Sequence, residues 1–499
     1  MESIWNLFQK TAIENPEKTA VICGSESISY GQLKMKCEVF SESLRRKGVT
    51  SNTFTGLYIG KSIECVIALF AIFRLGSVAV PLSTYYNLEE IQGAVNATHL
   101  PILVTDHKMN RKLNSEAGSD ICKIIEIPSW NSISASMLDN TSLTEKVTGE
   151  NCLILMTSGS TEQPKCTVIS QKAMCVRMHM EMIDFTLSKE ERVLISTPIY
   201  HSLGIRILMT AICYGMQVVL TVGFSPKAWL EQICENRITY TITVPAQIAQ
   251  ILEYAEQARV DAASMMESIR TILSTSAYLP PNQKKTFGRL IHGRFLNFIA
   301  SSETEFIAWS DCTWEDSEGN MLGIPFPETE LMLIQNDQPV NDGEVGEIVC
   351  KSDQLFSYYY GDTQRSQSAF WNGYYKTGDL GYFDELGRLH YAGRKKNVII
   401  CSGVNIIPRD VEKVLLTCPG VQECVAFGYP NAKNGEVVSV LIVGSGITEK
   451  DIKKYALSHL TMYQQPRKIF IVDQIPKNEM GKISMNMIKE QYILKGDKT

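Results

Sequence analysis

Leu153 to Lys165 reads LILMTSGSTEQPK. Its apolar start, Leu153 to Met156, reads as a buried strand. Thr157, Ser158, Gly159, Ser160 and Thr161 come next, and Pro164 and Lys165 close the stretch. Hydroxyls and backbone N–H groups at a strand end suit phosphate oxygens, and a rim lysine adds a point charge for them. The GxxxxGK[ST] spacing of a Walker loop is absent. A serine- and threonine-rich surface loop has the same composition, so the stretch alone carries both readings.

At 499 residues the chain exceeds one ordinary core, and two or more domains are expected. Forty-eight basic residues against 54 acidic leave a net charge of −6, which argues against a nucleic-acid or anionic-membrane partner. The fourteen cysteines are scattered, with no CxxC pair and no metal-ligand spacing. With no signal peptide, they read as reduced thiols in a cytoplasmic protein. The strongest apolar run, Cys65 to Phe73, stops at Arg74, far short of a membrane span.

From the N-terminus, an amphipathic helix ends at Pro16. TAVICG reads as a strand and Tyr30 to Arg46 as a helix. GLYIG, an apolar helix near Ile63 to Phe73, and VAVPL complete a βαβ rhythm, which predicts a parallel sheet. Residues 102–106 and 123–127 add short strands, and 128–150 reads as an irregular connector. Beyond Lys165, strands at 193–197, 217–222, 238–244 and 269–274 alternate with helical spacing. Together these predict an α/β fold with two doubly wound α/β subdomains. From Gly343 the pattern turns strand-rich, predicting a small β subdomain. The last hundred residues read as a small α+β domain. The predicted division is 1–395 and 396–499.

Five stretches in order decide the loop's reading: TSGSTEQPK; TPIYHSLG (197–204); YKTGDLG (375–381); GRKKNVIICSGVNIIPRDVE (393–412); and PKNEMGKIS (476–484). Together they resemble the adenylate-forming superfamily of acyl- and aryl-CoA ligases, luciferases and peptide-synthetase adenylation domains, most nearly the acyl-CoA ligases. The resemblance covers nearly the whole chain and implies a mobile C-terminal domain. It assigns the 157–165 loop to ATP phosphates. Asp379 matches the acid that takes a ribose diol, although alone it reads as a turn aspartate. Arg394 matches a nucleotide contact, or else a solvated charge beside Lys395 and Lys396. Lys396 matches the hinge.

Lys482 matches the lysine that bridges substrate carboxylate and α-phosphate in the transition state. Gly403 matches the place where backbone passes the thiol acceptor's arm, or is an ordinary turn glycine. Glu303 matches the acid that helps to hold magnesium, with Ser302 in the preceding threonine's place; Glu305 is a competing register. Ser276 and Ala277 fall in the segment along the adenine. His201 joins the catalytic set.

Three departures stand on the nucleotide side. Glu162 replaces a loop glycine, Ile299 and Ala300 replace Tyr-Gly, and Thr275 and Ser276 replace Gly-Gly. They fit lowered ATP affinity, a rebuilt adenine pocket, or a non-catalytic acyl- or nucleotide-binding protein on the same fold. Lys482, Asp379, Arg394, Lys165 and Glu303, all present, fit an active enzyme.

The stretch around His201, IYHSLGIRILMT, has no acidic residue, which disfavours an amino-acid substrate. The apolar helix there suits a fatty or aromatic acid. Its one charge, Arg206, reads as a snorkelling surface arginine, with a second substrate carboxylate as the alternative partner. The implied activity is an ATP-dependent acid–thiol ligase using Mg2+. CoA is the leading acceptor, and a carrier-protein phosphopantetheine arm presents the same thiol chemistry.

Overall fold

The computed structural model describes residues 3–115, 121–137, 149–157, 165–314, 320–431, 433–477 and 483–494. The chain forms two compact units. The first comprises Met1–Trp314, Phe326–Thr329 and Lys351–Phe370; the second comprises Glu315–Pro325, Glu330–Cys350 and Trp371–Thr499.

The first unit holds the two expected α/β sheets. One runs in the order Tyr358–Tyr359, Lys165–Ser170, Asn151–Thr157, Val78–Pro81, Phe54–Tyr58, Ile102–Thr105 and Lys123–Glu126. Its centre is parallel, and the hairpin of 151–157 with 165–170 is antiparallel. The helix Ile63–Arg74 between two of these strands has ten of twelve residues buried, which is why its sequence is apolar all round. The second sheet places Glu305–Asp311, Arg294–Ser301, Thr271–Ser274, Tyr240–Thr243, Arg192–Ile195, Gln217–Leu220, Thr19–Cys23 and Glu26–Ser29 side by side. Within this run the inner pairings are parallel, and the first and last are antiparallel. Helix Tyr30–Arg46 starts where the sequence predicts, because Ser29 and Gln32 form a capping box.

Strand-rich structure begins before Gly343. Arg294–Ser301 and Glu305–Asp311 already form a hairpin, and Met321–Pro325 and Glu330–Gln335 are strands. In the second unit Tyr374–Phe383 pairs with both Gly346–Lys351 and Leu389–Arg394. That unit also carries a five-stranded sheet built on Val421–Asn431 and Gly435–Gly444. Ile399, Val411, Leu415, Val440, Ile442 and Ile452 pack into one core beneath it. All fourteen cysteines are free thiols. Among the described residues, no helix is long and apolar enough to cross a membrane.

Helix Ser202–Cys213 carries Arg206 into the interior, and a glycine sets the helix's start. A Cβ on Gly204 would lie 2.1 Å from the Pro198 carbonyl oxygen and 2.7 Å from its carbon. This is the physical content of Pro198 and Gly204 in the TPIYHSLG stretch: the helix's first turn passes directly over the turn before it. Gly204→Ala should therefore destabilise the fold by about 1–3 kcal/mol, the usual cost of overpacking against backbone. An unchanged urea midpoint would show that the 198–201 turn yields freely.

Candidate active site

The hairpin that carries the phosphate-loop sequence is described on both sides. Thr157 pairs with Lys165 across it. Ser158, Gly159, Ser160, Thr161 and Glu162 lie outside the described residues. Lys165 Nζ sits 5.2 Å above the centre of the Tyr359 ring, a cation–π contact. The neighbouring strand puts the ring there, because Tyr359 pairs with Thr167, two residues along from Lys165. The Tyr359 hydroxyl in turn donates to Glu303 Oε1 at 3.0 Å. One buried tyrosine thus links the rim lysine to the expected magnesium acid. Sequence reasoning passes over Tyr359; the available signal is the tyrosine run 358–360 before Gly361.

Glu303 lies in the turn between strands Arg294–Ser301 and Glu305–Asp311. Ser301 and Thr304 tie that turn: each backbone N–H donates to the other's hydroxyl, at 3.2 Å in both directions. Both candidate acids are buried, Glu303 at 8% exposure and Glu305 at 2%. Their surroundings differ. Glu305 Oε1 accepts from Arg206 Nε at 2.6 Å, and its Oε2 accepts from Arg177 Nη1 at 3.2 Å and Ser202 Oγ at 3.0 Å. A metal at Glu305 would have to displace guanidinium donors. Glu303 faces a neutral hydroxyl, so the donor set favours Glu303. Magnesium commonly takes one or two carboxylates with substrate phosphates supplying further oxygens, and Glu303 beside the loop hairpin fits that arrangement.

Arg206 corrects the sequence reading. It is fully buried, not a snorkelling surface residue. Every residue from Leu203 to Cys213 is buried, so the helix offers it no path to solvent. It forms ion pairs with Glu181 and Glu305, and its guanidinium lies 4.7 Å from the Phe306 ring centre. Glu181 also accepts from Thr210 Oγ1 at 2.5 Å and from the Tyr240 hydroxyl at 2.6 Å. Burial alone disfavours the Arg206 cation, but Glu181 and Glu305 outweigh it and hold the pKa above the usual arginine value. Burial, then the Glu181 charge, pushes the Tyr240 hydroxyl well up. His201, half-buried, is the N-cap of the same helix, its ring 4.6 Å from that of Tyr200.

Ser276 and Ala277 come after strand Thr271–Ser274 and are half-buried. Ser276 has φ +81°, a left-handed conformation that costs a non-glycine residue roughly 1–2 kcal/mol. The backbone therefore keeps the form that glycine at this position accommodates without strain, although the side chain is serine. Ser302, half-buried in the turn, accepts through its carbonyl from Arg177 Nη2 at 3.2 Å.

In the second unit, Asp379 and Arg394 face each other in strand register, and Arg394 Nε meets Asp379 Oδ1 at 2.8 Å. Asp379 lies within a strand, not in a turn as its sequence context alone suggests. Burial, then the Asp379 charge, pushes the nearby Tyr391 hydroxyl up. Gly403 sits with Ser402 in a two-residue hairpin turn, φ +81° and +51°, the pattern of a type I′ turn. That turn accounts for the glycine by itself. Lys482 lies outside the described residues.

The buried charges make a test of the first unit. Arg206→Met would leave Glu181 without its cation and Glu305 with Arg177 alone. Breaking a buried pair from one side typically costs about 3–5 kcal/mol. Adding Glu181→Gln should recover a large part of that loss in denaturant unfolding. Equal instability of the single and double variants would show that Glu181 and Arg206 are not coupled.

The AMP-binding enzyme family model matches residues 8–360, and the model for its C-terminal domain matches 410–482. A 2-succinylbenzoate–CoA ligase of Bacillus mycoides is 25% identical, covering 97% of this chain and 98% of its own. An oxalate–CoA ligase of Arabidopsis thaliana is 26% identical, with 99% of both chains covered. The structure of o-succinylbenzoate CoA synthetase from Bacillus subtilis, solved with its acyl-adenylate intermediate, superposes with a TM-score of 0.84 at 25% identity over 98% of both chains. The chain belongs to the AMP-binding enzyme family and is an adenylate-forming enzyme.

Proposed function

We propose that the protein joins a fatty or aromatic acid to the thiol of CoA, cleaving ATP to AMP and pyrophosphate. The enzyme is an ATP-dependent acid–thiol ligase. The carboxylate oxygen attacks the α-phosphorus, the bond to the β-phosphate oxygen breaks, and pyrophosphate leaves. The thiolate sulfur then attacks the acyl carbonyl, and AMP leaves.

The observation that carries the site assignment is the chain Lys165–Tyr359–Glu303, which joins the phosphate-loop hairpin to the acid-bearing turn. Glu303 would hold Mg2+, whose charge offsets that of the phosphates. The 157–165 loop and Lys165 take the β- and γ-phosphates. Asp379 takes the ribose diol and Arg394 the nucleotide, with Ser276 and Ala277 along the adenine. Lys482 stabilises charge as it builds at the α-phosphate. Residues 396–499 pivot about Lys396 and bring the Gly403 turn to the acceptor's arm.

A fatty or aromatic acid is favoured because Arg206 is already matched by Glu181 and Glu305 and has no net charge to offer a second carboxylate. Fourteen free thiols and the absence of a basic surplus suit a reducing, cytoplasmic setting without a nucleic-acid partner.

The test is pyrophosphate release over a panel of acids, with hydroxylamine trapping of the adenylate. Monocarboxylic acids should turn over, and dicarboxylic acids of equal length should be poorer. Lys482→Ala should slow acyl-AMP formation by about a hundredfold, the scale of a lost electrostatic donor, and change thioester formation from supplied acyl-AMP far less. Equal loss in both half-reactions would refute the lysine's role. ATP binding without pyrophosphate release for any acid would point to the non-catalytic alternative.

A further inference from the structure

Arg177 lies on helix Gln171–Asp184, directly after the strand that Lys165 opens, and it is fully buried. Its guanidinium grips the acid-bearing turn. Nη2 donates to the Ser302 carbonyl at 3.2 Å and the Glu303 carbonyl at 3.4 Å. Nη1 donates to Glu305 Oε2 at 3.2 Å, and Nε to the Gln354 carbonyl at 2.8 Å. Gln354 continues the grip by pairing its side-chain amide with both backbone groups of Phe306, and Phe356 N–H donates to the Glu303 carbonyl at 2.8 Å. The turn is thereby fixed from the helix side and from the 354–359 segment, the segment that also delivers Tyr359.

We propose that Arg177 is a positioning residue for the reaction. Its planar fork holds the Ser302–Glu305 turn at a set distance from the hairpin that carries the phosphate loop. The inference rests on the proposed ligase function with Glu303 as the metal acid, because Arg177 itself occupies Glu305. Lysine keeps the charge beside Glu305 but, as a compact ammonium, does not reach the Ser302 and Gln354 carbonyls together. Arg177→Lys should therefore separate position from charge.

The experiment uses the full chain and measures ATP binding by calorimetry with Mg2+ and with EDTA, beside thermal unfolding and the kcat and KM of pyrophosphate release. Supporting groups around a metal site typically contribute about 10–100-fold to metal affinity or activity. In Arg177→Lys the Mg2+-dependent gain in ATP affinity should fall by about tenfold and kcat by a similar factor. Affinity in EDTA should stay within about twofold, well below that effect. Arg177→Gln keeps two N–H donors and leaves Glu305 paired with Arg206; it is the second variant should lysine not fold, with the same outcome expected. Wild-type Mg2+ dependence and kcat in the folded variant would overturn the proposal. So would equal loss of ATP affinity with and without Mg2+, or a wild-type protein whose ATP binding ignores Mg2+. If the wild type releases no pyrophosphate with any acid, the ligase function fails, and the calorimetric comparison still decides Arg177.

Discussion

Two guanidiniums share one carboxylate in the interior of the first unit, and the candidate site's geometry depends on that arrangement. Glu305 lies between Arg177 and Arg206, and Glu181 balances the second arginine. Removing such charges from water costs several kcal/mol per ion, so the cluster persists because each acid is met by several donors. The two arginines cancel the two acids, and Thr210, Tyr240 and Ser202 occupy the remaining acceptor positions. The result is directional. The first residue of the helix after His201 is bonded to the same carboxylate that Arg177 holds, and Arg177 also holds the turn of Glu303. Three segments distant in sequence therefore cannot shift independently. A close-packed interior of apolar residues would specify their spacing less sharply, because its contacts have no preferred direction.

The second unit uses a different device. Asp379 and Arg394 lie on neighbouring strands, and strand register alone sets their separation. The two residues proposed for the ribose and the nucleotide are therefore held to one another by the strand pairing and their ion pair. Lys395, next in sequence, is bonded to Glu347 at 2.7 Å, which fixes the chain on the N-terminal side of the assigned pivot. Lys396, the proposed pivot, follows directly on the end of strand Leu389–Arg394 and this ion pair.

The α/β rhythm is legible in the sequence because hydrophobic periodicity is local. The start of helix Tyr30–Arg46 is legible because its cap is local too. The order of the five stretches marks the family. What stays hidden depends on partners remote in sequence. Arg206 reads as a surface residue until Glu181 and Glu305 are seen converging on it. Tyr359 falls outside every quoted stretch, and only the pairing of its strand with 165–170 brings it beside Lys165. The early strands before Gly343 are obscured because the acids at 303 and 305 dominate the reading of residues 297–305 over their alternation.

The departures from the family pattern gain a physical meaning from Ser276. A left-handed backbone there is what makes glycine the easy residue at that position. Serine keeps φ at +81° and bears the strain. A chain relieved of any need for this segment's shape would relax such a residue toward negative φ, since nothing would repay the cost. The neighbouring strands Thr271–Ser274 and Arg294–Ser301, paired in parallel, set where the segment leaves the sheet. Serine at 276 thus stands on a left-handed backbone that glycine would adopt without strain.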